Sequence, residues 1–297
     1  MAAEPYTNNI NSCQTTLGSE IQFLGVGVHC GESVTLKILP ATGGYGVVFF
    51  RTDLGEEGIR IPVAPSSVRS TQLCTVIGTH KSNTVSTVEH LLAALRGCGI
   101  DNARIELNGP EVPILDGSAA DFVEAIEKVG VVPLDTKKRA IRVIKPVEVT
   151  IGLARCGFSP FDTFKLDVEI EFANEIIGLQ KFGFEWNPDA FKSELSSART
   201  FGFLEHAEVL RAQGFGLGAS LDNTVVISGQ EILNDDGLRF EDEFVRHKAL
   251  DAIGDLAIAG APIIGAYHSF RGGHQANFTA LCALLQDDSA WETIEMS

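Results

Sequence analysis

The chain is short of positive charge: Lys and Arg number 23 against 39 Asp and Glu, giving a formal net charge of −16 over 297 residues. A sequence-independent DNA or RNA binder needs clustered cations to neutralise phosphates. The densest basic run, Lys137-Lys138-Arg139, is too small for that, so nucleic acid is not expected as a partner. A phosphate-bearing small substrate remains compatible, because one or two placed lysines can hold it. Long hydrophobic runs are also missing. The longest weakly polar stretch, residues 256–266, contains Pro262 and is too short to cross a bilayer. The 6 cysteines, at positions 13, 30, 74, 98, 156 and 282, include no C-x-x-C pair. That argues against a cysteine-type zinc site and a disulfide framework, and for reduced, mostly buried thiols. Neither glycine-rich stretch, residues 25–31 or 214–218, fits G-x-G-x-x-G, and no P-loop occurs, which leaves no support for a Rossmann dehydrogenase or an NTPase. The N-terminus lacks the basic-then-apolar pattern of a secretory signal. A cytoplasmic protein without stable membrane insertion is the expectation. Only the first dozen residues, where Asn, Thr and Glu prevail, have the composition of a disordered segment.

What is present is a globular composition, 44% hydrophobic and 21% charged, in a chain long enough for one large domain or two of about 150 residues. Residues 32–39 (ESVTLKIL) alternate polar and apolar as a half-buried strand does, and residues 45–51 are a β-rich apolar run. A helix is predicted to open near Ser86, since Ser86-x-x-Glu89 has the form of a capping box, and to stop at Gly97 or Gly99. Residues 102–108 form the next strand. Asp116-Gly-Ser118 turns into a helix over 119–129 with Ser118 as its N-cap. The charged residues 136–139 are the linker candidate. Beyond them, 142–150 and 164–172 are predicted strands, 172–183 a turn, and Pro188 the start of a helix. A glycine-rich segment, 212–220, precedes a strand at 223–227. A helix containing His247 and a strand over 263–270 follow. Glu89-His90-Leu-Leu-Ala-Ala-Leu, then Gly97, then a strand resembles His247-Lys-Ala-Leu-x-Ala-Ile, then Gly260, then a strand. Two related α/β halves, each giving one histidine-bearing helix to a shared cleft, would explain this, and so would chance likeness of two amphipathic helices.

The chemistry concentrates in the stretch from Phe240 to Leu256. On a helix, residues four apart share a side, so His247, Asp251 and Asp255 form one stripe while Ala249, Leu250, Ile253 and Leu256 face away. A polar stripe is also what any solvated helix face presents. Joined by His90, however, His247 and Asp251 complete the three protein ligands of a catalytic zinc site. With no soft ligand, the set suits Zn²⁺ and, less selectively, Fe²⁺. Such a metal would lower the pKa of its water and polarise a carbonyl. Glu89 beside it could serve as general base, or merely as the reciprocal partner in the capping box. His274, in Arg271-Gly-Gly-His274, is a candidate proton donor on a flexible loop, and Asp255 is spaced to hold its imidazole and raise its pKa. As an ordinary loop histidine it would have no such role. His29 sits in a glycine-rich turn, where it could line a site or tolerate an unusual backbone.

Four blocks carry a family resemblance: Ser86-Thr-Val-Glu89-His90-Leu, Pro110-Glu-Val-Pro-Ile-Leu-Asp116-Gly-Ser, Ala198-Arg-Thr200-Phe-Gly-Phe203, and Asn234 through His247-Lys248 to Gly254-Asp255. In this order they resemble LpxC, the zinc-dependent UDP-3-O-acyl-N-acetylglucosamine deacetylase family of lipid A biosynthesis, from about Gln14 to the C-terminus. The resemblance implies an α+β fold of two topologically similar two-layer α/β sandwich domains, residues 14–136 and 140–297, with the active site in the cleft between them. It implies His90, His247 and Asp251 as zinc ligands, Glu89 as general base, His274 oriented by Asp255 as general acid, and Thr200 as a stabiliser of the oxyanion. Lys248 would lie near the polar head of the UDP-linked acylated amino sugar, with Arg271 as a phosphate contact. An insert at about 197–222 would build the acyl passage, with Phe201, Phe203, Ala207, Val209, Phe215, Leu217 and Ser220 as candidate lining; these apolar side chains could equally be core. Cys74 and His29 complete the candidate substrate contacts, and a monomer is expected. A silent metal- or sugar-nucleotide-binding module is the alternative from another class, but binding alone would not require Glu89, Thr200 and His274 beside the ligands. A metal amidohydrolase for another acylated sugar would share the site without the acyl passage.

Overall fold

Strands come first. β1 (Cys13–Leu17), β2 (Ile21–Val26), β3 (Ser33–Pro40), β4 (Val47–Arg51) and β5 (Ile59–Pro62) lead into a small ribbon of β6 (Val68–Ser70), β7 (Val76–His80) and β8 (Asn83–Val85). Helix α1 (Glu89–Gly97), β9 (Ala103–Leu107), α2 (Ala120–Val129) and β10 (Val131–Lys137) complete the first half. The second half opens with β11 (Arg139–Val143), β12 (Val147–Ile151), β13 (Ala154–Ser159), β14 (Phe164–Glu171) and β15 (Leu179–Glu185). One helical turn, α3 (Pro188–Ala190), runs into a π-helical stretch, Phe191–Leu195. A small unit of β16 (Phe201–Phe203), α4 (Ala207–Ala212), β17 (Val225–Ser228) and β18 (Glu231–Ile232) follows. Then come α5 (Glu243–Ala257), β19 (Ile263–Phe270), α6 (His274–Gln286) and β20 (Trp291–Glu295). This computed structural model describes residues 12–55 and 57–296, so the segment expected to be disordered lies, but for Ser12, outside the described residues. No helix among the described residues is long and apolar enough to cross a membrane.

The internal repeat is real at the level of topology. The first sheet runs β2-β3-β9-β4-β5, and the second contains β12-β13-β19-β14-β15, with β11 and β20 added beside β19. In each, a late strand inserts between two earlier ones. β9 is antiparallel to β3 and parallel to β4, and β19 is antiparallel to β13 and parallel to β14. Each inserted strand is preceded by one helix (α1 or α5) and followed by another (α2 or α6). Chance likeness of two helices cannot produce the same strand order twice. The fold is α+β, two halves of one design.

Pattern explains the layers. In β3, Val34, Leu36 and Ile38 are buried and their neighbours are not, so one face meets the core as period-two alternation requires. α6 packs on β12 and β13, α5 on β14 and β15, α2 on β2, and α1 lies against α5. Gly254 makes that last contact possible. A Cβ there would collide with the carbonyl oxygen of Glu89, so only glycine lets α5 approach the start of α1.

Several local expectations differ from the structure. Residues 142–150 are two strands, because Pro146 cannot donate to a ladder. Residues 136–139 are drawn into the sheets: Lys137 pairs across from Cys13, and Lys138 is 8% exposed and ion-paired with Asp101 at 2.9 Å. The turn after β14 ends at Gly178, whose φ is +56°, and residues 179–185 return as β15. β1, β2, β5 to β8, β10, β13, β16, β18, β20, α4 and α6 lie outside the elements expected from the sequence. All six cysteines are free, but only Cys74 and Cys156 are fully buried.

Candidate active site

The α5 stripe does not face solvent. His247, Asp251 and Asp255 are 1%, 2% and 0% exposed, and the opposite stripe of Ala249, Leu250 and Ile253 is buried too. The solvated-face alternative is thereby removed. α1 delivers His90 from its second position against α5, and the two imidazoles meet edge to face with centroids 5.0 Å apart. His90 Nε2 lies 3.5 Å and His247 Nε2 3.4 Å from Asp251 Oδ1. One ligand atom from each residue falls within 4.8 Å of the others.

This cluster fits a divalent cation. Asp251 Oδ1 is buried with no hydrogen-bond partner, an arrangement that needs a cation or donor to explain it. His247 Nδ1 lies 3.0 Å from the Ala198 carbonyl oxygen. Donation to that oxygen leaves Nε2 as the free lone pair, which is how a ligand histidine is oriented. Burial holds His247 neutral, with a pKa near 3 despite the Asp251 charge. For Asp251, burial alone would favour the neutral acid, but His247 and Lys248 outweigh it and keep the carboxyl well below its usual range. A neutral imidazole and an ionised carboxylate are the ligand forms that metal binding requires.

A second group lies beside the first. Glu89 Oε2 accepts the Thr75 amide at 3.0 Å, and Asp255 Oδ1 accepts the Thr75 hydroxyl at 2.6 Å. The other Asp255 oxygen takes His274 Nδ1 at 2.9 Å and Asn277 Nδ2 at 2.8 Å. His274 Nε2 then faces Glu89 Oε1 at 3.7 Å. Burial raises Glu89 to about 7 against the pull of His274 and His90. For His274, burial lowers the pKa, but Asp255 and Glu89 overcome it and hold it at about 9. Three corrections follow. His274 is not on a loop but is the first residue of α6, capped by Gly273. Glu89 is not a capping-box partner either: α1 starts at Glu89 after Thr87 at φ +56°, and its N-terminus has no side-chain cap. Its carboxylate is occupied with Thr75 instead. Nor is Ser118 the N-cap: α2 starts at Ala120 with Ala119 in the cap position, although the Ser118 hydroxyl, two residues before the helix, accepts the Ala120 amide at 3.1 Å.

Lys248 reaches back to Asp251 Oδ2 at 2.9 Å, with its ammonium 5.5 Å from the centre of the Phe201 ring. Phe201 also packs on Phe244 and His247, at centroid distances of 4.9 and 6.2 Å. Phe203 stands against Phe172 and His206. Thr200 is half-buried, and its backbone joins Gly117 to Val225. Ala207 opens α4 half-buried. Val209 and Leu217 are 60% and 51% exposed, so they are not core. Ser220 is exposed, and its hydroxyl accepts the Asp222 amide in a turn. The insert tip docks on the first half: Phe215 meets the His29 ring at 5.3 Å, and Leu217 and Gly218 donate to the carbonyls of His29 and Val28. Burial lowers the pKa of His29. Cys74 is buried, and that burial with the Glu89 charge pushes its thiol up. Arg271 is exposed at a left-handed turn three residues before His274, 3.4 Å from Glu171.

Sequence reasoning missed Thr75, Asn277, Glu111 and the Arg199–Glu243 pair. Glu111 is 1% exposed and accepts from the His29 and Cys30 amides and the Thr87 hydroxyl. All four act through partners far along the chain, for which spacing gives no signal.

The family model for UDP-3-O-acyl N-acetylglycosamine deacetylase (LpxC) matches residues 14–286. Proteins named UDP-3-O-acyl-N-acetylglucosamine deacetylase from Brucella ovis (strain ATCC 25840 / 63/290 / NCTC 10512) and Brucella abortus (strain 2308) are each 48% identical to this chain over 287 residues. The counterpart from Brucella melitensis biotype 2 (strain ATCC 23457) is 47% identical. Each alignment covers 96% of this chain and 100% of the relative. Across nearly its whole length, and with the buried His-His-Asp cluster at its centre, the chain belongs to the LpxC family.

Proposed function

We propose that this protein is a zinc-dependent amide hydrolase that removes the N-acetyl group of UDP-3-O-acyl-N-acetylglucosamine, releasing acetate, as a cytoplasmic step of lipid A biosynthesis. The names of its relatives support deacetylation. Held by His90, His247 and Asp251, Zn²⁺ would supply Lewis acidity to the amide carbonyl and the attacking water. Glu89 takes the proton of that water, with one oxygen fixed by Thr75 and the other turned towards His274. The water oxygen bonds to the acetyl carbon, the C–N bond breaks, and His274 gives a proton to the departing amine. Asp255 steadies the imidazolium meanwhile. Thr200 assists the oxyanion, Lys248 and Arg271 receive the polar head, and the insert at about 197–222 carries the acyl chain. The acyl chain's affinity would come from burial, about 0.8 kcal/mol per CH₂. Residues 14–136 and 140–297 are the two domains, working as a monomer.

The observation that carries this reading is His274, hydrogen-bonded by Asp255 and aimed at Glu89 beside three metal-type ligands. A binding module needs ligands; amide hydrolysis also needs a base and an acid. Acetate release from UDP-3-O-acyl-N-acetylglucosamine is measured with metal-depleted protein, before and after one equivalent of Zn²⁺. Restored turnover, absent with the unacylated sugar nucleotide, is the expected result. Stoichiometric zinc binding without turnover would overturn the assignment in favour of a silent module or another amide substrate.

A further inference from the structure

A cavity of about 420 Å³ opens at the C-terminal ends of α1 and α5, away from the catalytic groups. Arg96 on its wall stands seven positions along α1 from Glu89, roughly 10 Å at the helical rise. Phe164, Trp186, Ile253, Leu256, Pro262 and Ile263 supply apolar walls, and no lining residue lies in the 197–222 insert. It is therefore separate from the proposed acyl passage. Its volume falls in the range of small-molecule sites, about 300–1,000 Å³.

Two cations line it, and they differ. Lys138 is committed to Asp101 at 2.9 Å, a carboxylate that also accepts the Thr15 amide. The Arg96 side chain feels Asp101 only through its charge, forms no hydrogen bond or ion pair among the described residues, and has its charged form disfavoured by burial. Arg96 also lines a smaller cavity of about 170 Å³. A half-buried arginine whose side chain has no partner among the described residues, beside apolar walls, suits an anion carrying hydrocarbon. The planar guanidinium fork matches a carboxylate. Asp162 in the same wall and Asp101 nearby disfavour a doubly charged phosphate.

We propose that this cavity is a second ligand site, taking the carboxylate of a fatty acid on Arg96 and its hydrocarbon chain against Trp186, Phe164 and Leu256.

The test uses the full-length, metal-loaded protein and laurate below its micelle concentration, with dodecanol and inorganic phosphate as controls. Binding is read by calorimetry and by tryptophan emission, since Trp186 is one of only 2 tryptophans. Laurate should bind with one-to-one stoichiometry and shift the emission, dodecanol at least about tenfold more weakly. Arg96→Gln should weaken laurate by a similar factor while leaving acetate release intact. Ala261→Phe, which fills the cavity and spares Arg96, should abolish the binding even if Arg96→Gln fails to fold. Absence of saturable laurate binding overturns the proposal. So does equal affinity for dodecanol, or laurate affinity unchanged in both variants, as binding in the acyl passage would give. Phosphate binding through Arg96 without laurate binding overturns it as well. Because acetate release is scored separately, failure here is distinguishable from failure of the proposed reaction.

Discussion

His274 Nδ1 donates to Asp255 Oδ2 at 2.9 Å across nineteen positions of sequence, tying the first residue of α6 to the last turn of α5. That contact fixes which ring nitrogen faces Glu89, and it holds the proton there. Asp255 is the leading reason that His274 is raised to about 9, against the downward push of burial.

Asp255→Asn should therefore shift the basic limb of the rate profile to lower pH. With His274 as the proposed acid, its imidazolium is the active form; a raised pKa keeps it protonated through neutral pH, and loss of the carboxylate lowers that pKa. The same linkage bears on stability. The contribution is fully present below the unfolded value near 6.5 and is lost as pH rises through about 9. The comparison is a rate profile of parent and variant under one metal loading. A basic limb that stays put in the variant would remove His274 from the role of acid.

Glu89→Gln preserves size and an acceptor for the Thr75 amide but cannot take a proton. Zinc stoichiometry and thermal stability should hold while kcat falls by about 10²–10⁴, the usual worth of a general base. The helix should not suffer, because Glu89 caps nothing in α1. Unchanged kcat would sink the assignment.

The metal stripe was legible because His247 and Asp251 are four apart on one helix, and the second half's strand over 263–270 was legible because its flanks are unambiguous. The Glu89 capping box was a false local signal: Thr87 takes a left-handed backbone, and Glu89 turns to a residue fourteen positions earlier. Thr75 reaches Asp255 over 180 positions, a distance at which no periodicity speaks. α6 was hidden because Gly272 and Gly273 precede it and suggest a loop, although Ala276, Ala280, Leu281 and Leu284 bury one face at helical spacing. The duplicated sheets were visible only as two similar helices, since the equivalence lies in strand order.

Gly254→Ala tests the helix crossing. Alanine favours a helix interior by about 1 kcal/mol over glycine, but its methyl would collide with the Glu89 carbonyl. Overpacking costs roughly 1–3 kcal/mol, and neighbouring backbone is not free to yield as a side-chain tip is. The clash should win, lowering Tm and, because α1 carries His90 while α5 carries His247 and Asp251, weakening zinc affinity as well. An unchanged or higher Tm would mean that the crossing is looser than this packing implies.

Glu243 is wholly buried and accepts from the Arg199 amide at 2.9 Å, from its guanidinium at 2.9 and 3.1 Å, and from the Arg239 amide at 2.6 Å. It thereby fixes the backbone next to Ala198, whose carbonyl orients His247. Glu243→Gln should leave the buried Arg199 guanidinium with only the exposed Asp236 carboxylate, 3.0 Å away, as charge partner, and cost up to about 3–5 kcal/mol of stability. It should also weaken zinc binding by about 10–100-fold, as loss of a ligand's supporting contact does. A merely structural pair would move the first quantity and not the second. Zinc affinity is therefore measured by chelator competition at a temperature where the variant is still folded. Parental affinity there would confine Glu243 to stability, whereas a loss would extend the metal site to a carboxylate that never faces it.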